Sequence, residues 1–450
     1  MSVGGKLLLV NPALTDNGCS RPHAGGMASM EPLALGYVAA ATPPHWKVRI
    51  VDEVTEQIPV DFEPDLVGLT SMTSTAPRAY EIAQDYRQRG VTVVMGGTHA
   101  TLLPDEAAQY VDVVFQGEAE QAWPLVIGDY EAKTLKPRYT GRASTLNGLP
   151  WPRRDLYRRH HLVQLVSASR GCRYRCEYCT LWQQEGGRYR ARHPEEVLDE
   201  LEATDHLSFA QSLSRWPIFF TDENMYTDRE WCLALFRGMA ERGLRRRYAL
   251  QASLNIADDS EVLASLKRSG CLQVLIGFES VSEESLRTMR KGVNLKVGVA
   301  GYKDKIDRLH DYGLVAHGTF MFGNDGDGPD IFERTAEFVL ESDLDMAYFG
   351  IVTPYPSTGM YQRLAKAGRL LYTEFPADYA RYDTSTAVFR PLDMTPEELE
   401  DGLVRATRAV GSRGTAARRA WKTWKMNKDP LLAALVYRWN RSGLYQRIVA

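Results

Sequence analysis

The stretch Ser169-Arg170-Gly171-Cys172-Arg173-Tyr174-Arg175-Cys176-Glu177-Tyr178-Cys179 puts three of the chain's six cysteines inside eight consecutive positions, directly after an apolar, strand-like run at 163–168. Six cysteines in 450 residues is too sparse for a disulfide framework. A structural zinc site would need a fourth ligand at recognisable spacing, and no second Cys-x-x-Cys or His pair follows; His193 is the nearest candidate. Cys232 and Cys271 lie in apolar helix or strand contexts, where a buried free thiol is the ordinary expectation. Three thiolates on one short loop can instead hold three irons of a 4Fe-4S cluster and leave the fourth iron open to an outside ligand. Arg173 and Arg175 would add positive charge that favours thiolate and moderates the charge of a reduced cluster.

Downstream of this loop, short β-rich runs at 218–221, 249–253, 274–278, 319–322 and 346–352 alternate with helical stretches. With the run at 163–168 they make six βα units, which predicts a partial barrel with the cysteine loop at its carboxyl edge. Upstream, runs at 6–10, 46–51, 66–70, 91–95 and 111–115 alternate with helical segments in the same way and imply a parallel, doubly wound sheet. They lack clean polar alternation, as strands covered on both faces do, and several end in turn residues such as Asn11-Pro12, Gly96-Gly97 and Gly117-Glu118. Residues 128–159, with Pro137, Pro150 and Pro152, read as a linker between the two series. After Pro354-Tyr355-Pro356 the pattern turns helical, and Thr395-Pro396-Glu397-Glu398 looks like a helix start with a Thr cap, Pro at the first position and Glu at the third.

Hydrophobic residues at 44% and charged residues at 25% exclude wholesale disorder. A net charge of −3 gives the molecule no general affinity for nucleic acid, so any basic site is local. Residues 403–450 are the local exception, with eleven Lys and Arg against the single acid Asp429, and with Trp421, Trp424 and Trp439 interspersed. That pattern suits a solvated face or domain contact, or a surface for anionic lipid or substrate. The start of the chain shows no signal-peptide pattern and nowhere do ~18 apolar residues run together, so a cytoplasmic protein without an integral membrane segment is expected.

The Cys-x-x-x-Cys-x-x-Cys loop and its surroundings resemble the radical S-adenosylmethionine (radical SAM) superfamily. Phe219-Phe220-Thr221-Asp222-Glu223-Asn224, Gln251-Ala252-Ser253-Leu254-Asn255, Gly277-Phe278-Glu279-Ser280 and Met321-Phe322-Gly323 fall at successive predicted strand ends and look like the family's cofactor-binding segments. The resemblance implies that Cys172, Cys176 and Cys179 hold the cluster and that S-adenosylmethionine chelates its open iron. Reductive cleavage then gives methionine and a 5′-deoxyadenosyl radical, which abstracts hydrogen from an unactivated carbon. Tyr178 would pack on adenine, Asp222 or Glu223 would accept from the methionine ammonium, Ser253 and Asn255 would meet ribose or carboxylate, and Glu279 lies at the fourth strand end. Each of these polar residues also reads, singly, as a strand-end cap or ion-pair partner.

The N-terminal series, through Thr70-Ser71, Gly96-Gly97-Thr98-His99 and Gly117-Glu118, looks like the cobalamin-binding domain that precedes many radical SAM domains. By that resemblance Thr70, Ser71, Gly96, Gly97, His99, Gly117 and Glu118 belong to the cobalamin site; as plain chemistry the glycines also suit any tight βα turn, and His99 suits a strand-end contact. The Asp-x-His-x-x-Gly motif of histidine-ligating cobalamin domains is absent, and His310, between Asp307 and Gly313, has the wrong spacing. Residues around Thr353-Pro354-Tyr355-Pro356, Tyr382-Asp383 and Phe389-Arg390-Pro391 look like the C-terminal extension of a branch that includes hopanoid methylases and natural-product enzymes. Tyr355, Tyr372, Tyr379 and Tyr382 can line a pocket or pack as core. The run 323–328 briefly resembles a calcium loop but lacks its spacing and terminal Glu, and reads as a βα loop whose acids bind substrate or cap the helix near Pro329.

The expected architecture is α/β throughout: a doubly wound (Rossmann- or flavodoxin-like) cobalamin-binding domain at 1–140, a partial (β/α)6 barrel at 150–365, and a mostly helical cap with a basic tail at 366–450. The expected function is cobalamin-dependent methylation of an unactivated carbon in a secondary metabolite or lipid, in antibiotic or other secondary metabolism. The implied partners are a small-molecule substrate and an external electron donor such as flavodoxin or ferredoxin, with peripheral lipid contact through the basic tail. The alternatives are a cobalamin-free radical dehydratase, epimerase or cyclase on a sugar or aminoglycoside, and a non-enzymatic cobalamin or iron–sulfur sensor.

Overall fold

The structure, a computed structural model, describes residues 4–16, 19–20, 30–158, 161, 163–205, 218–244 and 246–442. The chain forms two compact units, Met1–Leu165 with Thr373–Tyr382, and Val166–Tyr372 with Asp383–Ala450.

The first unit is built on six parallel strands, β1 (Lys6–Asn11), β2 (Lys47–Asp52), β3 (Leu66–Thr70), β4 (Thr92–Gly96), β5 (Val113–Gly117) and β6 (Arg138–Gly141), in the order β2-β1-β3-β4-β5-β6. Leu7, Leu8, Leu9 and Val10 are all buried, because helices cover both faces of β1 and leave no outward side for polar residues. The chain reverses direction across the sheet between β1 and β3, and in such sheets ligands bind at the carboxyl ends around this switch. One predicted feature is corrected here. The expected linker over 128–159 contains the end of a helix, Trp123–Glu131, and the edge strand β6. In β6 only Tyr139 and Gly141 face inward while Arg138 and Thr140 are exposed, so its sequence carries no apolar run to reveal it.

The segment Thr373–Tyr382 belongs to this first unit. Tyr379 and Tyr382 are buried as core, Phe375 stacks on Tyr379 with centroids 4.1 Å apart, and the Tyr379 hydroxyl donates to Glu106 Oε2 at 2.6 Å. Burial opposes ionisation of Glu106, yet hydrogen bonds from His99, Tyr379 and Tyr80 outweigh it and hold the carboxyl below its usual value. A lowered folded-state pKa adds stability that is present above the unfolded value, ~4.5, and lost as pH falls through the folded one. The melting temperature is therefore expected to drop between about pH 5 and pH 3 in the native chain and to drop less in Glu106→Gln, by thermal melts across that range. Equal slopes in both proteins would remove Glu106 from the account.

The second unit carries β7 (Gln164–Val166), β8 (Ile218–Phe220), β9 (Tyr248–Ala252), β10 (Cys271–Glu279), β11 (Val315–Phe322) and β12 (Met346–Ile351), adjacent in chain order, with β8 to β12 paired in parallel. This is the predicted open half-barrel. β10 and β11 start earlier than the apolar runs suggested, and near their starts a polar couple, Gln273 Nε2 and His317 Nδ1 at 2.6 Å, interrupts the apolar pattern. Helices return between strands with side-chain caps at Asp228, Asp259 and Ser282.

The C-terminal helices divide between the two ends of this half-barrel. Pro396–Val410 begins with the expected capping box, Thr395 Oγ1 accepting from Glu398 N at 3.1 Å and Glu398 Oε2 from Thr395 N at 2.7 Å. Leu399 and Phe389 crowd Gly323, just past the carboxyl end of β11. The following hairpin, Arg413–Asn427 and Pro430–Ser442, lies at the opposite end: Leu432 and Val436 pack on Val315 and Met346, the first residues of β11 and β12, and Trp439 Nε1 donates to Ala347 O at 3.2 Å. The basic hairpin thus closes the amino end of the strands, away from their carboxyl edge, where the sequence reading expected a cap.

Candidate functional site

The cysteine loop is held from three sides. Gly171, at φ +93, lies against the Arg188 carbonyl where any side chain would collide; Glu177 N donates to Met289 O at 3.0 Å, and the Glu177 carboxylate pairs with Arg363 at 3.1 Å. Cys179 N reaches back to Cys176 O at 3.2 Å, closing a tight turn between the second and third cysteines. Burial pushes the Cys172 and Cys176 thiols up, and Cys179 to about 11, with Lys291 as the cation that opposes the shift in all three. The flanking arginines lie on aromatic faces, Arg175 over Trp182 at 3.8 Å and Arg173 over Tyr189 at 5.9 Å, which fixes where their positive charge sits. Metal loading must displace thiol protons. His193 is exposed, and Cys232 and Cys271 are buried free thiols, Cys271 pushed up to about 12 by burial.

Around this loop the strand ends bring the predicted polar residues together. Asp222 is wholly buried, its Oδ2 accepting from Ala168 N at 3.2 Å; burial raises its carboxyl to about 7, against the opposing influence of Ser169 and the Ala168 amide. Glu223 Oε2 accepts from Gly171 N at 2.9 Å, beside Cys172. The Ser253 hydroxyl donates to Asn255 Oδ1 at 2.6 Å, and Asn224 Oδ1 accepts from Ser253 N at 2.9 Å, so Asn224 joins the pair.

The fourth strand end is the least regular. Pairing of β10 with β11 shifts register between Gly277 and Glu279, and Glu279 takes a left-handed φ of +64. The bulge turns the Glu279 carboxylate back over Gly277, where a Cβ would sit 2.2 Å from Oε1, so a side chain there would push the carboxylate aside. Oε1 accepts from Tyr178 OH at 2.9 Å and from Lys291 Nζ at 2.6 Å. Asn294 Nδ2 takes up the carbonyls of Gly277 and Phe278 at 3.0 and 2.9 Å. Burial disfavours the charge on Lys291, but the Glu279 carboxylate and the Cys176 thiol hold its pKa above the ordinary value. Lys291 and Asn294 escape a reading of the sequence, where a lysine followed by glycine looks like any surface turn.

The acids of 323–328 are structural. Asp325 pairs with Arg369 at 2.7 Å and with Arg363, and Asp327 accepts from Gly323 N at 3.0 Å, Asn324 N at 2.9 Å and Ser285. They do not cap the next helix, which starts at Ile331 with no side-chain cap.

In the first unit, Thr70, Ser71, Gly96, Gly97, Gly117 and Glu118 gather on the carboxyl rim of β3, β4 and β5. Two glycines there are demanded by backbone: Gly97 (φ +90) abuts Ser71 and Gly117 (φ +78) abuts the Gly141 carbonyl. Thr101 Oγ1 ties both turns, donating to Gly97 O at 2.8 Å and accepting from Gly117 N at 3.0 Å. Glu118 Oε2 accepts from Ala143 N at 3.0 Å. His99 is fully buried with Nε2 3.0 Å from Tyr80 OH and 3.2 Å from Glu106, so its ring points into the fold and is no ligand on the rim. His310 pairs with Asp345 at 2.7 Å. The rim thus suits a cofactor gripped by hydroxyls and backbone; among the described residues of Thr70–Ser71, Gly96–His99 and Gly117–Glu118 the one histidine, His99, is turned into the fold. Gly97→Ala would put a Cβ 2.6 Å from Ser71 N in a conformation L-residues disfavour; we expect a loss of about 2–4 kcal/mol in stability and a severalfold lower cobalt content after reconstitution.

Comparison with known proteins agrees with this geometry. The B12 binding domain family matches residues 28–127 and the radical SAM superfamily matches residues 166–339, which defines a radical SAM enzyme with a cobalamin-binding domain. The bacteriochlorophyllide d C-12(1)-methyltransferase of Chlorobaculum tepidum is 30% identical over 86% of this chain and 83% of its own, and the hopanoid C-2 methylase of Rhodopseudomonas palustris is 25% identical over 77% and 66%. A radical S-adenosylmethionine methyltransferase from Kitasatospora setae, solved with cobalamin and a [4Fe-4S] cluster, shares the fold with a TM-score of 0.65 at 16% identity, covering 95% of this chain and 90% of that one. The chain belongs to the cobalamin-dependent radical SAM methyltransferase family. Its cofactors are a 4Fe-4S cluster, S-adenosylmethionine and cobalamin, and no described helix is long and apolar enough to cross a membrane.

Proposed function

We propose that this enzyme methylates an unactivated carbon of a lipophilic secondary metabolite or lipid, in the cytoplasm, with electrons from a flavodoxin- or ferredoxin-like donor. The observation that carries the reading is the match, across both units, to a relative named as a carbon methyltransferase of a tetrapyrrole. When bound, the cluster supplies the electron that splits the sulfonium of S-adenosylmethionine, and cobalamin carries the methyl group.

In this reading Cys172, Cys176 and Cys179 hold the cluster. Glu223, bonded to the loop at Gly171, accepts from the methionine ammonium, and Asp222, fixed to Ala168 N, braces the strand end behind it. Ser253 and Asn255 present hydroxyl and amide to ribose or carboxylate, and Tyr178 offers its ring to adenine while Glu279 fixes its hydroxyl. Lys291 keeps a positive charge beside the thiolates. Thr70, Ser71, Gly96, Gly97, Gly117 and Glu118 form the cobalamin rim, with His99 bracing it from within.

The test is anaerobic reconstitution with iron, sulfide and hydroxocobalamin, then metal analysis and incubation with methyl-labelled S-adenosylmethionine and candidate lipophilic acceptors. About four irons and one cobalt per chain, with label on carbon in a product, are expected. Four irons without cobalt, and 5′-deoxyadenosine without labelled product, would point to a cobalamin-free rearrangement or dehydration instead.

A further inference from the structure

The hairpin Arg413–Asn427 and Pro430–Ser442 has an outer face that the fold does not use. Its inner face is settled by Ala416, Arg419 and Thr423 on the first helix and by Leu432, Val436 and Asn440 on the second, all buried. Arg419 donates to Asn440 Oδ1 at 2.6 Å and to Val339 O at 3.1 Å, so the hairpin is fixed on the half-barrel. The outward residues are the unusual ones. Five of the fourteen large apolar side chains exposed among the described residues, Trp421, Trp424, Leu431, Leu435 and Tyr437, fall between 421 and 437, with Leu431 70% and Trp421 56% exposed. Isolated apolar residues on a surface need no explanation, but a cluster of this kind marks a contact.

The charges on the same hairpin are of one sign. Its only acid, Asp429, is buried, paired with Arg247 at 2.9 Å and spent on the amides of Leu431 and Leu432. Asp343, from the barrel, faces Arg418 at 3.6 Å and Lys422 at 3.2 Å. Among the described residues no carboxylate pairs with Lys425, Lys428 or Arg438. Instead Lys425 Nζ lies 5.3 Å from the Trp421 ring centroid and Lys428 Nζ 5.0 Å from that of Trp424, and the two indoles are 4.8 Å apart.

We infer that this hairpin docks the enzyme on an anionic lipid bilayer, with Trp421, Trp424, Leu431 and Leu435 entering the headgroup boundary and Lys425, Lys428 and Arg438 meeting lipid phosphates. An indole with an ammonium over it is an amphipathic pair: the ring favours the interfacial zone and the cation reaches the phosphate level. Unpaired cations add attraction to an anionic surface, and apolar side chains add burial, the combination that peripheral helices use. A second copy of the chain is a poorer occupant, since two like-charged faces would have to meet. The hairpin sits at the amino end of the barrel strands, so docking there leaves the cysteine-loop edge of the half-barrel clear of the bilayer surface.

The experiment uses the full-length reconstituted enzyme and sedimentation with vesicles of phosphatidylcholine alone or with ~30% phosphatidylglycerol. The native protein is expected to partition at least ~10-fold more strongly onto the anionic vesicles, with the difference shrinking in 0.5 M salt. Trp421→Ala with Trp424→Ala, and separately Lys425→Glu with Lys428→Glu, should each lower that partition ~10-fold or more while leaving melting and S-adenosylmethionine cleavage unchanged. Equal partition onto both vesicle types, no partition at all, or full binding by both variants would overturn the inference, as would a concentration-dependent dimer abolished by the tryptophan variant in place of vesicle binding. The readout is binding and not methyl transfer, so it stands or falls independently of the proposed substrate.

Discussion

Cys176→Ala is expected to bring reductive cleavage of S-adenosylmethionine down to background while leaving the melting transition close to that of the native chain. The loop does not rely on this side chain for its shape. Gly171 against Arg188, Glu177 N on Met289 O and the Glu177–Arg363 pair anchor it from outside, and the turn between Cys176 and Cys179 is a backbone bond that alanine keeps. What is lost is one of three thiolates, and a cluster on the remaining two has no defined open iron for an outside ligand to chelate. The checks are iron and sulfide content, the electron paramagnetic resonance signal of the reduced protein, and 5′-deoxyadenosine by mass spectrometry. Full cleavage by the variant would overturn the cluster assignment.

The second large effect concerns Lys291. Its ammonium and the Glu279 carboxylate form a pair at 2.6 Å with side chains 15% and 8% exposed, and the Tyr178 hydroxyl shares the same oxygen. Removing one partner of such a pair leaves the other charge buried, at a cost of about 3–5 kcal/mol, whereas removing both is often close to neutral. Lys291→Met is therefore expected to lower the melting temperature by roughly 6–20 °C, and Lys291→Met with Glu279→Gln to recover most of it. Lys291→Arg keeps the charge and should lie between. If the double variant melts as low as the single one, Lys291 contributes by packing and not through Glu279. The same variants separate stability from function, because the double variant restores the fold without the cation beside the thiolates.

Much of this was legible in one dimension because the relevant physics is local. Three thiols that must sit on one loop have to be close in sequence, so Cys172, Cys176 and Cys179 announce themselves by spacing. Apolar runs wrapped on both faces by helices reveal themselves as parallel strands, and Thr395 and Glu398 cap the same turn they occupy. β6 stayed hidden because an edge strand with one inward side chain of any size, Tyr139, has no pattern to read.

The sequence by itself therefore determined the class of chemistry, the succession of strands along each unit and the strand ends at which Asp222, Ser253 and Glu279 stand. Only the tertiary structure decided which charges meet. It turned His99 inward to Tyr80 and Glu106, set Arg173 and Arg175 on aromatic rings, and carried Lys291 across to Glu279 over a bulge. It also placed the basic hairpin at the amino end of the barrel. The reason is physical: covalent spacing dictates what a single loop can hold, whereas the fate of a long charged side chain depends on which buried partner, from a distant part of the chain, is there to offset its loss of water.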